Sequence, residues 1–104
     1  MNDREFCEHL DIEVKVLRIW VEQRWLMPQE ADAGWLFEDA DLARARLIQD
    51  LTGPMGVNDN GVDVAMQLLD QVHSLRGRLA VLMNAIRSQE PAVQKLILSS
   101  AEED

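Results

Sequence analysis

A chain of 104 residues, 47% hydrophobic and 28% charged, is one small domain that folds rather than stays disordered. Nineteen Asp and Glu against ten Lys and Arg leave a net charge of −9, a field that repels nucleic-acid phosphates and attracts a basic protein surface. The single cysteine, Cys7, excludes an intrachain disulfide and a four-cysteine zinc site. The opening "MNDREFCEHL" is charged where a secretory signal is apolar, and apolar runs last only a few residues, so neither a leader nor a membrane span is expected and the location is read as cytoplasmic. A core this small is commonly supplemented by a second copy or a partner.

The first element is a short helix in "DREFCEHLDI", where Phe6, His9 and Leu10 recur at helical spacing and Asp3 is placed to cap. A second helix follows in "EVKVLRIWVEQRW". Val14, Leu17, Val21 and Trp25 form its apolar stripe, Val16 and Trp20 widen it, and Lys15, Arg18, Glu22 and Gln23 lie elsewhere; Pro28 forbids its continuation. "PQEADAGWLF" reads as a small hairpin with Gly34 supplying a positive backbone angle. The third helix, "EDADLARARLIQDL", takes Asp39 as N-cap, turns Leu42, Ala45, Ile48 and Leu51 inward and Arg44 and Arg46 outward, and stops at "TGPMG". Trp20, Trp25 and Trp35 are expected to form much of the small core.

The fourth helix is the longest and is capped by Asn58. Ala65, Leu68, Val72, Leu75, Leu79, Leu82 and Ile86 step by three and four, a seam roughly 33 Å long at the helical rise. The seam is either a dimer interface or core for the globular part. Its start is expected to pack on the domain, and beyond Val72 too little chain remains to cover it, which favours a homodimer. Gly77 lies opposite the seam, and Arg76 and Arg78 flank it. Pro91 ends the helix and opens a last short one carrying Val93, Leu96 and Ile97, before a frayed "AEED". The organisation is thus 1–57 for the small domain, 58–90 for the long helix and 91–104 for a short helix and tail.

In this order the residues resemble a MerR-type winged helix-turn-helix. Leu17, Arg18, Trp20, Leu26 and Pro28 stand where that family places Leu-Arg-x-aromatic and Leu-x-Pro, and "GWLF" at 34–37 resembles the second strand of its wing. The nearest variant is the chaperone-modulator CbpM family, which is similar in keeping this short domain, a "GVN…GV" run before a long helix, and no C-terminal effector domain. The resemblance implies an all-α fold with a minimal β-hairpin wing and a long dimerisation helix. It also implies a function: binding and inhibiting the J-domain of a DnaJ-like co-chaperone, CbpA. One position departs from the DNA-binding pattern, since Leu36 stands where the wing of DNA-binding relatives carries Arg, and a phosphate contact is missing there.

The acidic set Glu30, Asp32, Glu38, Asp39 and Asp41 reads either as a solvated wing and helix cap or as a docking face for a basic partner. J-domains present basic residues on one helix, so the resemblance makes these five the partner-binding candidates. Lys15 and Arg18 are the DNA contacts of the rival reading, a MerR-type transcription regulator; against it, Arg18 can equally pair with Glu22 at i+4. A third reading is a dimerisation module of a larger assembly. Cys7 is either a reactive thiol or a small buried apolar residue. His9 and His73 are far apart with no second ligand at metal spacing, and no nucleophile-base arrangement or phosphate-binding glycine loop is present; no catalytic residue, metal or cofactor is expected.

Overall fold

Helices form where apolar residues recur at three and four, and the hairpin forms where that period breaks. The computed structural model describes residues 1–102: α1 (Asp3–Leu10), α2 (Val14–Glu22), β1 (Gln29–Ala31), β2 (Gly34–Leu36), α3 (Asp39–Thr52), α4 (Asp59–Arg87) and α5 (Pro91–Ala101). The chain divides into two units, Met1–Gln67 and the part from Leu68 onward. The all-α architecture with a minimal wing and a long fourth helix is the one read from the sequence.

The cap of α1 is Asn2, one residue before the expected Asp3. The Glu5 amide donates to Asn2 Oδ1 at 2.8 Å, and the Asn2 amide donates back to Glu5 Oε1 at 3.5 Å. A capping box needs an oxygen three residues before a Glu or Gln, and the pair Asn2–Glu5 has that spacing, so Asp3 becomes the first helical residue instead. The buried face is Phe6, Cys7 and Leu10, while His9 is exposed.

α1 and α2 end with the same device. Asp11 turns left-handed (φ 53°), its amide donates to Glu8 O at 3.4 Å and the Ile12 amide to Cys7 O at 3.1 Å. At the end of α2, Arg24 is left-handed (φ 62°), its amide donates to Val21 O and the Trp25 amide to Trp20 O, both at 3.0 Å. Both pairs of bonds satisfy helix carbonyls that would otherwise be orphaned. α2 therefore stops well before Pro28, and Trp25 leaves the helical stripe yet stays buried. Within α2 the inward residues are Leu17 and Trp20, with Val16 and Val21 half-buried and Val14 exposed.

The hairpin pairs Gln29 with Leu36, Glu30 with Trp35 and Ala31 with Gly34, antiparallel, with Gly34 at φ 122°. The next residue, Phe37, closes the wing onto the start of the chain. Its amide donates to Met1 O at 2.7 Å, and its carbonyl accepts from the Met1 amine at 2.8 Å. The rings of Phe6 and Phe37 stack at 4.1 Å, and Trp35 meets Phe37 edge-on at 6.3 Å. Trp20 and Trp25 are core residues, as expected, but Trp35 is only half-buried. A three-residue ribbon has too little behind it to cover an indole on both sides.

α3 is capped by Glu38 rather than Asp39, with the Glu38 amide donating to the Asp41 carboxylate at 2.8 Å. Ala45 and Ile48 are buried, and Leu42 and Leu51 are half-buried. Arg46 faces solvent as expected, but Arg44 turns inward, where its Nε donates to the Trp25 carbonyl. The Gln49 side-chain amide donates to Leu10 O at 2.6 Å and ties α3 to the end of α1. Asn58 caps α4 through the Gly61 amide at 2.9 Å, Val62 and Met66 enter the core, and the Trp25 indole N–H donates to Asp63 Oδ1 at 2.6 Å. Phe6, Leu17, Leu26, Phe37, Ile48 and Val62 are the largest fully buried side chains, and all lie in the first unit.

The second unit consists of the rest of α4 and α5. Pro91 opens α5 as expected, and Gln94 Nε2 donates to Gln89 O at 2.7 Å and Arg87 O at 3.2 Å, holding the corner between the two helices. None of its described side chains is fully buried. Of the tail expected to fray, Ala101 is instead the last residue of α5 and Glu102 its C-cap, while Glu103 and Asp104 lie outside the described residues.

Two outcomes follow. Arg24 is exposed and occupies a conformation that costs an L-residue about 1–2 kcal/mol, so Arg24→Gly should stabilise the fold by ~1 kcal/mol, read as a rise in thermal midpoint. Cys7 is buried, and desolvation, with a smaller contribution from the Asp3 carboxylate, pushes its thiol pKa up and keeps it protonated at neutral pH. Ellman's reagent should therefore react with it slowly in the native protein and promptly in denaturant. A native reaction as fast as the denatured one would make Cys7 a reactive thiol.

Candidate interaction surfaces

The helix-turn-helix is α1, the turn at 11–13 and α2, with the wing following. Because α2 turns Leu17 and Trp20 into the core, its outward face carries Val14, Lys15, Arg18, Ile19 and Glu22. Lys15 Nζ lies 3.1 Å from Glu13 Oε2, with both side chains solvated, a pair of little energetic weight that nevertheless offsets the cation. The expected Arg18–Glu22 pair does not form. Arg18 instead lines a cleft of ≈ 210 Å³ with Asp3, Gly34 and Trp35, between the start of α1, α2 and the wing.

The five acidic candidates fall into two groups. Glu30 stands opposite Trp35 in the hairpin register and Asp32 lies in the turn; both are exposed. Glu38, Asp39 and Asp41 share the first turn of α3. Glu38 and Asp39 are exposed, while Asp41 is half-buried and accepts the capping bond from Glu38. Their placement also favours the positive end of the α3 dipole. Leu36, at the wing position discussed above, is 45% exposed.

The seam of α4 is placed as follows. Ala65 and Ile86 are half-buried, whereas Leu68, Val72, Leu75, Leu79 and Leu82 are exposed, Leu75 to 62%. A groove of ≈ 310 Å³ runs along Arg76, Leu79, Ala80, Met83, Asn84 and Arg87. On α5, Val93, Leu96, Ile97 and Leu98 are exposed as well.

The sequence reading passed over Ile19, an exposed apolar residue on the outward face of α2, and the exposed Met27 beyond that helix. Ile19 was findable: it lies off the Val14–Leu17–Val21 stripe, directly after Arg18, on the side where polar residues belong. Among the described residues no cluster of His, Cys, Asp and Glu is arranged to hold a metal ion, and no helix is long and apolar enough to cross a membrane.

A family model described as "MerR HTH family regulatory protein" matches residues 1–84, from the cap of α1 through most of α4. No curated protein and no solved structure matches the chain. The matched span holds the helix-turn-helix, the wing and most of the long helix, and the chain belongs to the MerR HTH family of regulatory proteins.

Proposed function

We propose that this MerR-family chain is a cytoplasmic, non-enzymatic adaptor of the chaperone-modulator CbpM kind, which binds the J-domain of a DnaJ-like co-chaperone and inhibits it. The observation that carries the reading is the charge of the surface a DNA reader would turn to phosphate. From Glu13 to Asp41, through α2, the wing and the start of α3, seven carboxylates stand against three basic residues, Lys15, Arg18 and Arg24. Lys15 is paired with Glu13, and the wing presents the exposed Leu36. Duplex binding draws its affinity from neutralised phosphates, and this surface repels them. A basic helix on a partner meets the opposite field, is steered in quickly and is held by what it touches afterwards. Inhibition follows from covering the surface through which the J-domain engages its own target.

The second part of the proposal is a homodimer through the α4 seam. Leu68, Val72, Leu75, Leu79 and Leu82 are exposed along one stripe, and the second unit has no fully buried described side chain to stabilise it alone. Arg76 and Arg87 flank the groove beside Leu79, so an opposing copy must bring carboxylates such as Glu90 to them, which an antiparallel crossing allows.

Three measurements check this. Full-length protein titrated against a purified J-domain and against duplex DNA at the same ~150 mM salt should bind the J-domain alone; tight, sequence-specific DNA binding without J-domain binding restores the transcription regulator. Glu30→Lys with Asp32→Lys, neither of which carries a capping bond, should slow J-domain association roughly tenfold at low salt, with the difference shrinking as salt rises. Leu75→Asp with Leu79→Asp should convert a dimer into monomers in sedimentation equilibrium; a wild type already monomeric at tens of micromolar, about the strength of an ordinary dimer, refutes the seam.

A further inference from the structure

We infer that α5 of one copy docks in the α4 groove of a second copy, so that the two chains of the homodimer exchange their last helices. The inference rests on the homodimer proposed above and names the surfaces that close it; the adaptor reading does not depend on it.

Beside its leucine seam α4 carries a second strip. Arg76, Ala80, Met83 and Arg87 step by four, three and four, so they share one side of the helix, and with Leu79 they line the groove of ≈ 310 Å³. The strip is apolar in the middle and cationic at both ends. From Gln71 to Arg87 the helix holds three arginines and no carboxylate. Neither Arg76 nor Arg87 is paired with a carboxylate among the described residues. Laying the same face of a second α4 here would set arginine against arginine.

α5 carries the complement. Val93, Ile97 and Ala101 step by four, Leu96 widens their face, and the one base of the helix, Lys95, lies on the opposite side. Glu90 heads the helix as its N-cap without a side-chain capping bond, and Glu102 follows its other end as the C-cap. This strip is apolar in the middle and anionic at both ends. Leu96 is 70% exposed, and no residue of α5 is buried. Arg76 to Arg87 and Glu90 to Glu102 each span about 17 Å at the helical rise, so acid meets base at both ends whichever way the helix lies.

The chain does not fill its own groove. Gln94 Nε2 donates to Arg87 O and Gln89 O and pins the corner, and with that corner Leu79 and Leu96 both stay open to solvent. Because Glu90 is the cap of α5, a second copy that brings this carboxylate to an arginine brings α5 with it. A two-fold axis makes the exchange reciprocal: each copy fills the other's groove, and neither strip is left unmatched. The apolar face of α5 is thereby added to the area the seam removes from water.

Cysteine cross-linking in the full-length chain tests this. With the strips antiparallel, Ile97 falls beside Ala80 of the second copy; with the strips parallel, it falls beside Met83. Two double variants, Ile97→Cys with Ala80→Cys and Ile97→Cys with Met83→Cys, are oxidised with diamide where the wild type sediments as a dimer, after thermal melting confirms the fold. One of the two should run as a covalent dimer on a non-reducing gel, and which one reports the direction. The single variants should stay monomeric on the gel, since the native Cys7 is buried. A link within one chain assigns the groove to the chain's own α5 and overturns the inference. No link in either pair, or a single variant that links as readily as the pair, overturns it and leaves the seam dimer standing. A wild type that sediments only as a monomer overturns the inference and the homodimer together. Amide hydrogen exchange gives an answer without any substitution: exchange in α5 of the wild type should slow as concentration rises through the dimer midpoint, and exchange independent of concentration overturns the inference.

Discussion

Trp25 is the residue on which the first unit is assembled. Its amide donates to Trp20 O and closes α2, its carbonyl accepts the Arg44 guanidinium from α3, and its indole N–H donates to Asp63 on α4. Its ring is buried in the core those elements share. Two of these bonds involve an ionised group, the class with a net value of about 1.5–3 kcal/mol each, and an indole buries on the order of 200 Å². In a domain whose total stability is a few such contributions, a residue that joins three helices decides whether the wing has a fixed base.

Around that junction the small core depends on polar groups being satisfied at element ends. Among the described residues no buried side-chain nitrogen or oxygen lacks a hydrogen-bond partner. The left-handed Asp11 and Arg24, the capping pair of Asn2 and Glu5, and the Gln49 bond to Leu10 O each give a partner to a backbone group at a helix end.

Burial differs sharply between the two units. Every fully buried side chain among the described residues belongs to the first, while the second carries Leu75, Leu79, Leu82, Leu96 and Leu98 in the open. A segment with few buried apolar contacts sits at the low end of local stability unless another surface covers it. The net charge of −9 works in the same direction on all partners, favouring basic proteins and disfavouring nucleic acid, and it tunes encounter rates more than the lifetime of any complex.

The sequence by itself determined what depends on neighbours a few residues away. The order of helices and hairpin, the left-handed Gly34, the Asn58 cap and the start of α5 at Pro91 all follow from local chemistry: a positive φ, a side-chain oxygen three residues ahead of an amide, a missing N–H. The uninterrupted period along α4 says only that one face is apolar and not what lies against it. Tertiary structure decided the rest. Hydrophobic spacing does not distinguish Trp25 from Trp35; the first is buried because three helices converge on it, and the second is half-open because its ribbon is three residues wide. Arg44 turned inward because a carbonyl nineteen residues away needed a donor, and Arg18 lines a cleft with Gly34 and Trp35 of the wing rather than pairing with Glu22. A side chain's direction is set by the surface packed against it, and that surface comes from parts of the chain that no local window contains.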